Sequence, residues 1–445
     1  MSIFKAYDIR GEYPQEINEE IAYKIGRAIV HLLKCKTVVV GHDMRIGSES
    51  LKHSLVDGIT DEGADVVDIG LCSTDTLYFA VAEYDYPAGA VVTASHNPKQ
   101  YNGIKVVKEK AIPICEGYGM EELAQIVEKG KAKGLAIKGK ITKKDFLLEF
   151  ANACRTFVEL DKIKPLKVVM DAGNGMAGKT APPIFDELGL EITKLHFELD
   201  GKFPNHDPNP IIEENRHDCQ KRVKQMQADL GVMWDGDTDR CMFLDEHGSF
   251  VRADWIAAIV SKHVLLKNKG ATIVYDPRCS RFLTDTIAKY GGRPQECRAG
   301  NPYFKMMMRK VDGPYSAEAS GHNFYKFKKG YYVDNGYIIV LQLLEILSKT
   351  GKSLSQLLAL EGAGKYHASG EINFKVKDPK QKMKEVEQRY NSAQISHLDG
   401  ITVTYKSWWF NLRASNTEPV VRLNLEAISQ EIMEEKKREL TKLLT

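Results

Sequence analysis

Gly231-Val232-Met233-Trp234 runs directly into Asp235-Gly236-Asp237-Thr238-Asp239-Arg240, and Cys241 to Leu244 follows. The first apolar run reads as a buried strand, the acidic stretch as a turn, and the second apolar run as the strand leaving it. The same pattern stands upstream, where Leu166-Lys167-Val168-Val169-Met170-Asp171 enters a glycine-rich turn, and downstream at Thr272-Ile273-Val274-Tyr275-Asp276. Towards the N-terminus, Asn18 can cap a helix with apolar positions Ile21, Ile25, Ile29 and Leu32. Thr37-Val38-Val39-Val40 then reads as a strand ending at Gly41, and Ala64 to Ile69 and Ala90 to Thr93 as two more. Strands alternating with helices argue α/β units. Tyr337 to Leu347 is a strongly apolar helix.

The chain then changes character. Glu371 to Val376, Ile401 to Tyr405 and Val420 to Glu426 alternate like strands of an antiparallel sheet, and Pro379 to Tyr390 and Gln430 to Leu444 read as charged amphipathic helices. The expected fold is α/β: three similar mixed α/β domains plus a C-terminal α+β domain, with the active site in the central cleft. The expected domains are residues 1–145, 146–248, 249–365 and 366–445.

The 445 residues exceed one compact core and suit three or four domains. Lys plus Arg is 62 against 60 Asp plus Glu, which argues against a nucleic-acid or membrane-surface partner. The eight cysteines are scattered without metal-finger spacing and read as reduced thiols. The N-terminus has no signal-peptide pattern, and no apolar run approaches the ~20 residues that span a bilayer. The expectation is a cytoplasmic protein.

Five segments carry chemistry. Thr93-Ala94-Ser95-His96-Asn97-Pro98 puts a serine at the carboxyl end of a strand, where α/β sheets bind ligands, with His96 able to polarise it. Asp235, Asp237 and Asp239 can converge on one hard cation. An EF-hand needs glycine where Arg240 stands and helices where the flanks read as strands; an aspartyl phosphatase needs Thr or Val in place of Asp239. A divalent-cation site with Arg240 facing a phosphate fits best. Gly173 to Thr180 matches the P-loop pattern G-x-x-x-x-G-K-T, but an NTPase would leave two of the three aspartates and the other motifs unused. Ala317-Glu318-Ala319-Ser320-Gly321-His322, if extended, projects Glu318 and Ser320 to one side, where both can bond sugar hydroxyls. Arg413-Ala414-Ser415-Asn416-Thr417-Glu418-Pro419, with Arg422, reads as a phosphate-binding loop.

Together these segments resemble the α-D-phosphohexomutase superfamily, nearest to its bacterial phosphomannomutase/phosphoglucomutase branch, over the whole chain and in the same order. Lys5-Ala6-Tyr7-Asp8-Ile9-Arg10-Gly11 resembles the family's N-terminus, and Asn102-Gly103-Ile104-Lys105 a stretch whose lysine lies beside the transferred phosphate. Ala317 stands where the family commonly has glycine, and Gly300-Asn301-Pro302-Tyr303-Phe304-Lys305 replaces a Gly-His stretch before a sugar-site lysine, Lys305.

The resemblance implies a phosphoenzyme acting on hexose phosphates. Ser95 carries the phosphate, and Mg2+ is held by Asp235, Asp237, Asp239 and a phosphoserine oxygen. Arg240, Lys105 and Arg10 stabilise the moving group, which passes through a hexose 1,6-bisphosphate that turns end for end. Arg413, Ser415, Asn416, Thr417 and Arg422 hold the distal phosphate, Glu318 and Ser320 read hydroxyls, and His322 and Tyr7 are the acid/base candidates. Competing readings are a phosphoglucosamine mutase, a P-loop NTPase and a non-catalytic calcium-binding protein.

Overall fold

The computed structural model describes residues 3–130, 137–414 and 420–445. The chain forms two compact units: residues 1–253 with 320–354, and residues 254–319 with 355–445.

The first unit holds two mixed sheets. In one the strand order is Ile9–Glu12, Tyr101–Lys108, Ala88–Val92, Thr37–His42, Asp65–Leu71 and Ile141–Lys143, with Ile112–Pro113 paired to Tyr101–Lys108. Its centre is parallel, and Tyr101–Lys108 runs antiparallel to both neighbours. Ala88–Val92 is buried at every position, as an interior strand covered on both faces must be. The helix Glu19–Leu33 starts where Asn18 accepts a hydrogen bond from the Ile21 amide and turns its Ile25 and Ile29 face into the core. The other sheet runs Phe250–Val251, Cys241–Leu244, Leu230–Trp234, Lys167–Asp171, Glu191–Leu195.

The apolar helix Ile338–Thr350 also belongs to this unit and is buried nearly all round, the place for a helix without a polar face. Asn335 caps it by accepting from the amides of Tyr337 and Ile338, and Trp234 Nε1 donates to the Gly336 carbonyl at 2.8 Å.

In the second unit, Thr272–Tyr275 pairs in parallel with Arg293–Glu296 and Tyr315–Ala317. The C-terminal sheet is antiparallel throughout, in the order His367–Lys375, Val420–Ala427, Trp408–Ala414, Ile401–Thr404, Gln394–Ser396. Helices Pro379–Arg389 and Gln430–Leu444 cover one face of it through Val386, Met433, Leu440 and Leu444.

Two sequence expectations change. Trp408–Ala414 is a full strand, so Arg413 sits on sheet rather than in a loop. The chain turns at Ala319 and Ser320 and passes Gly321 at φ +95°, so Glu318 and Ser320 do not alternate along an extended segment. All eight cysteines are buried, and none forms a disulfide. No helix among the described residues is long and apolar enough to cross a membrane.

Candidate active site

Strand register brings the first group together. Arg10 pairs across from Gly103, and Lys105 across from Val91 on the strand that leads into Ser95. Arg10, Lys105 and Ser95 are therefore neighbours at one end of the sheet, although the sequence separates Arg10 from Ser95 by most of a domain. Arg10 Nη1 donates to Asn97 Oδ1 at 2.9 Å, and its other arm pairs with Asp8. Tyr7 is 40% exposed.

The acidic stretch is the hairpin turn between Leu230–Trp234 and Cys241–Leu244, where Trp234 pairs with Cys241. Strands, not EF-hand helices, flank it. Its three carboxylates converge within 4.8 Å of one another and are at most 2% exposed. Such an arrangement repels itself unless cations enter it. Lys105 Nζ donates to Asp237 and Asp239 at 2.6 Å each, the Ser95 hydroxyl donates to Asp235 at 2.9 Å, and the Arg240 amide donates to Asp235 at 3.2 Å. Burial, then the charges of Asp239 and Asp237, push the Asp235 carboxyl well above its ordinary range. Burial acts on Asp239 in the same sense but is outweighed by Lys105, His322 and Arg240, which hold it low. One oxygen each of Asp237 and Asp239 is buried without a hydrogen-bond partner among the described residues. Two orphaned carboxylate oxygens beside a serine hydroxyl form an all-oxygen donor set that fits a hard divalent cation.

Ser95 itself has φ +51°, and Thr238 in the acidic turn has φ +70°. The two turns touch through Gly236: a Cβ there would lie 2.5 Å from the Ser95 carbonyl oxygen, so glycine is required. His96 Nδ1 lies 3.3 Å from the Ser95 hydroxyl, and burial, then Arg240 and Arg10, keep its imidazole neutral. Arg240 Nε donates to His322 Nε2 at 2.9 Å, while His322 Nδ1 faces Asp239 and Asp334 at 3.6 and 3.7 Å.

Several residues here carry no motif. Arg45, 3% exposed, donates to the carbonyls of Ser95, Asn97, Pro98 and Tyr101 at 2.6–3.3 Å. Its only sequence signal is a cation just past the end of the strand Thr37–His42. Thr74, at the start of helix Thr74–Glu83, donates its hydroxyl to Asp237, and its amide bonds the Asp237 carbonyl at 3.2 Å. The P-loop lookalike is a turn followed by the four-residue helix Ala177–Thr180, and Lys179 Nζ donates to the Leu71 carbonyl at 2.6 Å.

In the second unit, Glu318 accepts from Arg278 Nη2 at 2.9 Å. Arg278 is in turn clasped by Asp276 through two bonds of 2.8 and 3.0 Å. Burial opposes the Asp276 charge, but Arg278 holds the carboxyl low. Lys305 is fully buried on the helix Asn301–Val311. Arg413 and Arg422 face each other across two strands, both against Glu371. Ser320, by contrast, belongs to the first unit, and its hydroxyl is buried without a hydrogen-bond partner among the described residues. Ser415, Asn416 and Thr417 lie outside the described residues.

Four family models match the chain in sequence. They are the phosphoglucomutase/phosphomannomutase alpha/beta/alpha domains I, II and III, over residues 1–133, 144–248 and 252–362, and the C-terminal domain over 371–443. A phosphomannomutase of Vibrio cholerae serotype O1 is 42% identical, across 100% of this chain and 98% of that protein. One from Escherichia coli is 40% identical over 96% of this chain and 95% of its own length. A solved structure of a phosphoglucomutase/phosphomannomutase family protein from Burkholderia thailandensis superposes with a TM-score of 0.89 at 33% identity, covering 100% of this chain and 97% of that one. An Aspergillus fumigatus N-acetylphosphoglucosamine mutase, solved with GlcNAc-6P and magnesium, shares the fold at a TM-score of 0.60 and 14% identity, over 99% of this chain and 96% of that one. With four domain matches in order and relatives similar along their whole length, the chain belongs to the phosphoglucomutase/phosphomannomutase family and is a phosphohexose mutase.

Proposed function

We propose that the enzyme interconverts the 1- and 6-phosphates of mannose, and of glucose, through a phosphorylated Ser95 and a hexose 1,6-bisphosphate. The observation that carries this reading is the Ser95 hydroxyl, on a residue at φ +51°, bonded to Asp235 within the aspartate cluster. Mg2+ fits Asp235, Asp237, Asp239 and an oxygen on Ser95, and when bound it would withdraw charge from the group in transit. Lys105, Arg240 and Arg10 supply fixed positive charge for the equatorial oxygens. Neutral His96 orients the hydroxyl, and His322 and Tyr7 are the groups available to carry the hydroxyl proton of each transfer. Arg413 and Arg422, with Ser415, Asn416 and Thr417, hold the non-reacting phosphate, while Glu318, Ser320 and Lys305 read the sugar. A clamp on phosphate and a reader of hydroxyls both tolerate a ligand that returns end for end.

The mannose assignment is supported by relatives named phosphomannomutase at about 40% identity, and the glucose assignment by the family name. The amino-sugar relative is similar in fold alone. Eight buried cysteines without a disulfide suit a reducing compartment, and we place the enzyme in the cytoplasm. The test is a side-by-side assay of mannose, glucose and glucosamine 1-phosphates, with intact mass before and after phosphatase treatment. Turnover of the first two and one phosphate lost from Ser95 are expected. Preference for the glucosamine ester, or full turnover by Ser95→Ala, would reject the reading.

A further inference from the structure

Glu371 sits on the strand His367–Lys375 opposite Asn424, two places along from the Asn373–Arg422 pair. Arg422 is in turn directly opposite Arg413 on the next strand. Residues paired across strands share a face, so both arginines and Glu371 project from the same side of the sheet. Glu371 Oε2 accepts from Arg413 Nη2 at 3.1 Å, and Oε1 lies 3.5 Å from Arg422 Nη1. One carboxylate is thus divided between two guanidinium groups, each of which also has a buried Nε without a hydrogen-bond partner among the described residues. Among the described residues Asp399 also lies near Arg413, and burial pushes its carboxyl up against the pull of Arg413 and Arg278.

We propose that Glu371 is a resident counter-ion: it occupies the two arginines when no phosphate is bound and competes with the phosphate that displaces it. This rests on the assignment of Arg413 and Arg422 to the non-reacting phosphate. Like charges directly opposite on adjacent strands repel, so an arginine pair without a carboxylate would bind a phosphate dianion tightly and release it slowly. The proposed cycle needs release, because the bisphosphate must let go and return reversed. With Glu371 beside the pair, one ion pair is exchanged for another, and departure of the phosphate does not strand two facing cations. Glu371 also holds both guanidinium forks in place between turnovers. It is a positioning residue that acts through Arg413 and Arg422 without touching the reacting atoms.

The experiment uses the full-length, magnesium-loaded enzyme as wild type, Glu371→Gln and Arg413→Ala, titrated calorimetrically with inorganic phosphate and with glucose 1,6-bisphosphate. Removing a competing charge should tighten phosphate binding by about tenfold in Glu371→Gln, equivalent to about 1.4 kcal/mol. KM and kcat should fall together, because capture improves while reorientation slows. Added phosphate should raise Tm more in this variant than in wild type, since it relieves the unmatched arginine pair. Phosphate affinity equal to or below wild type in Glu371→Gln would overturn the proposal. Wild-type phosphate affinity in Arg413→Ala would instead reject the underlying assignment of the clamp. If Glu371→Gln does not fold, Glu371→Asp withdraws the charge from Arg413 and carries the same test: tighter phosphate binding supports the proposal and unchanged binding overturns it.

Discussion

Ser95 occupies the left-handed region of backbone space, which costs a side-chain-bearing residue roughly 1–3 kcal/mol and persists only where neighbours enforce it. Arg45 is the enforcing neighbour. Its guanidinium bonds three carbonyls of the serine loop and that of Tyr101, lies 3.4 Å from Asp43 and rests over the Phe203 ring at 4.9 Å. Burial lowers the Arg45 pKa against the pull of Asp43, and raises that of Asp43 against the pull of Arg45, so the pair contributes placement more than stability. Arg45→Met should leave a folded protein with the loop unpinned. A displacement of ~1 Å at a reacting group can cost about a hundredfold in rate, so kcat should fall by that order while KM changes little. Circular dichroism and steady-state kinetics check this; wild-type kcat would remove Arg45 from the positioning of Ser95.

At the scale of elements, the 196–209 segment braces both reactive turns. Gly201 bridges to Arg45, and Asn205 donates to Asn174 beside the glycine turn that supports Gly236. His206 anchors the segment: Nε2 lies 3.3 Å from Asp171 and Nδ1 lies 2.8 Å from the Asp207 carbonyl, two acceptors that together favour an imidazolium. Burial opposes that charge, but the hydrogen bond and charge of Asp171 raise the His206 pKa. Burial likewise opposes the Asp171 charge, which His196 and His206 nonetheless hold low. A raised histidine pKa contributes stability that is complete below the unfolded value of about 6.5 and lost as pH rises through the folded value. The lowered Asp171 contributes above about 3.9, and that contribution is lost as pH falls through its folded value. The pair should therefore stabilise most at mildly acidic pH. His206→Gln should remove the part of the stability loss that follows His206 deprotonation, read as urea midpoints from pH 5 to 9. An unchanged profile would mean that the brace does not depend on the charged histidine.

For the whole molecule, metal and phosphate should be separable requirements. Chelation should abolish turnover, with Mg2+ restoring it, and Asp237→Asn should weaken metal binding measured directly by titration. Activity that survives exhaustive chelation would exclude the aspartate cluster as a metal centre. Arg413→Ala loses charged hydrogen bonds worth roughly 1.5–3 kcal/mol each, or about one to two decades in KM. The increase should be similar for mannose 1-phosphate and glucose 1-phosphate, because a phosphate clamp does not read the sugar. Glu318→Ala should change the two sugars unequally, or lower turnover for both, and leave Arg278 paired with Asp276 alone. Equal, purely KM effects from both variants would show that Glu318 is not a sugar reader.

The sequence by itself determined what is local. Three aspartates at alternate positions between two apolar runs specify a turn crowded with carboxylates, and the serine after Ala88–Val92 specifies a ligand-facing loop, because each pattern lies within a few consecutive residues. The strand Trp408–Ala414 was less legible. Trp408, Phe410 and Leu412 enter the core and Trp409, Asn411 and Arg413 lie on the opposite face, but Arg413 opens a polar run in the sequence, and that made the strand's end resemble a loop. Tertiary structure alone decided the partners. Lys105 reaches Asp237 and Asp239 across 132 and 134 residues, and Arg45 reaches the Ser95 carbonyl across 50. Glu371 meets Arg413 across 42. Charges so far apart are brought together by strand register and domain packing, and no spacing along the chain encodes which cation will answer which buried carboxylate.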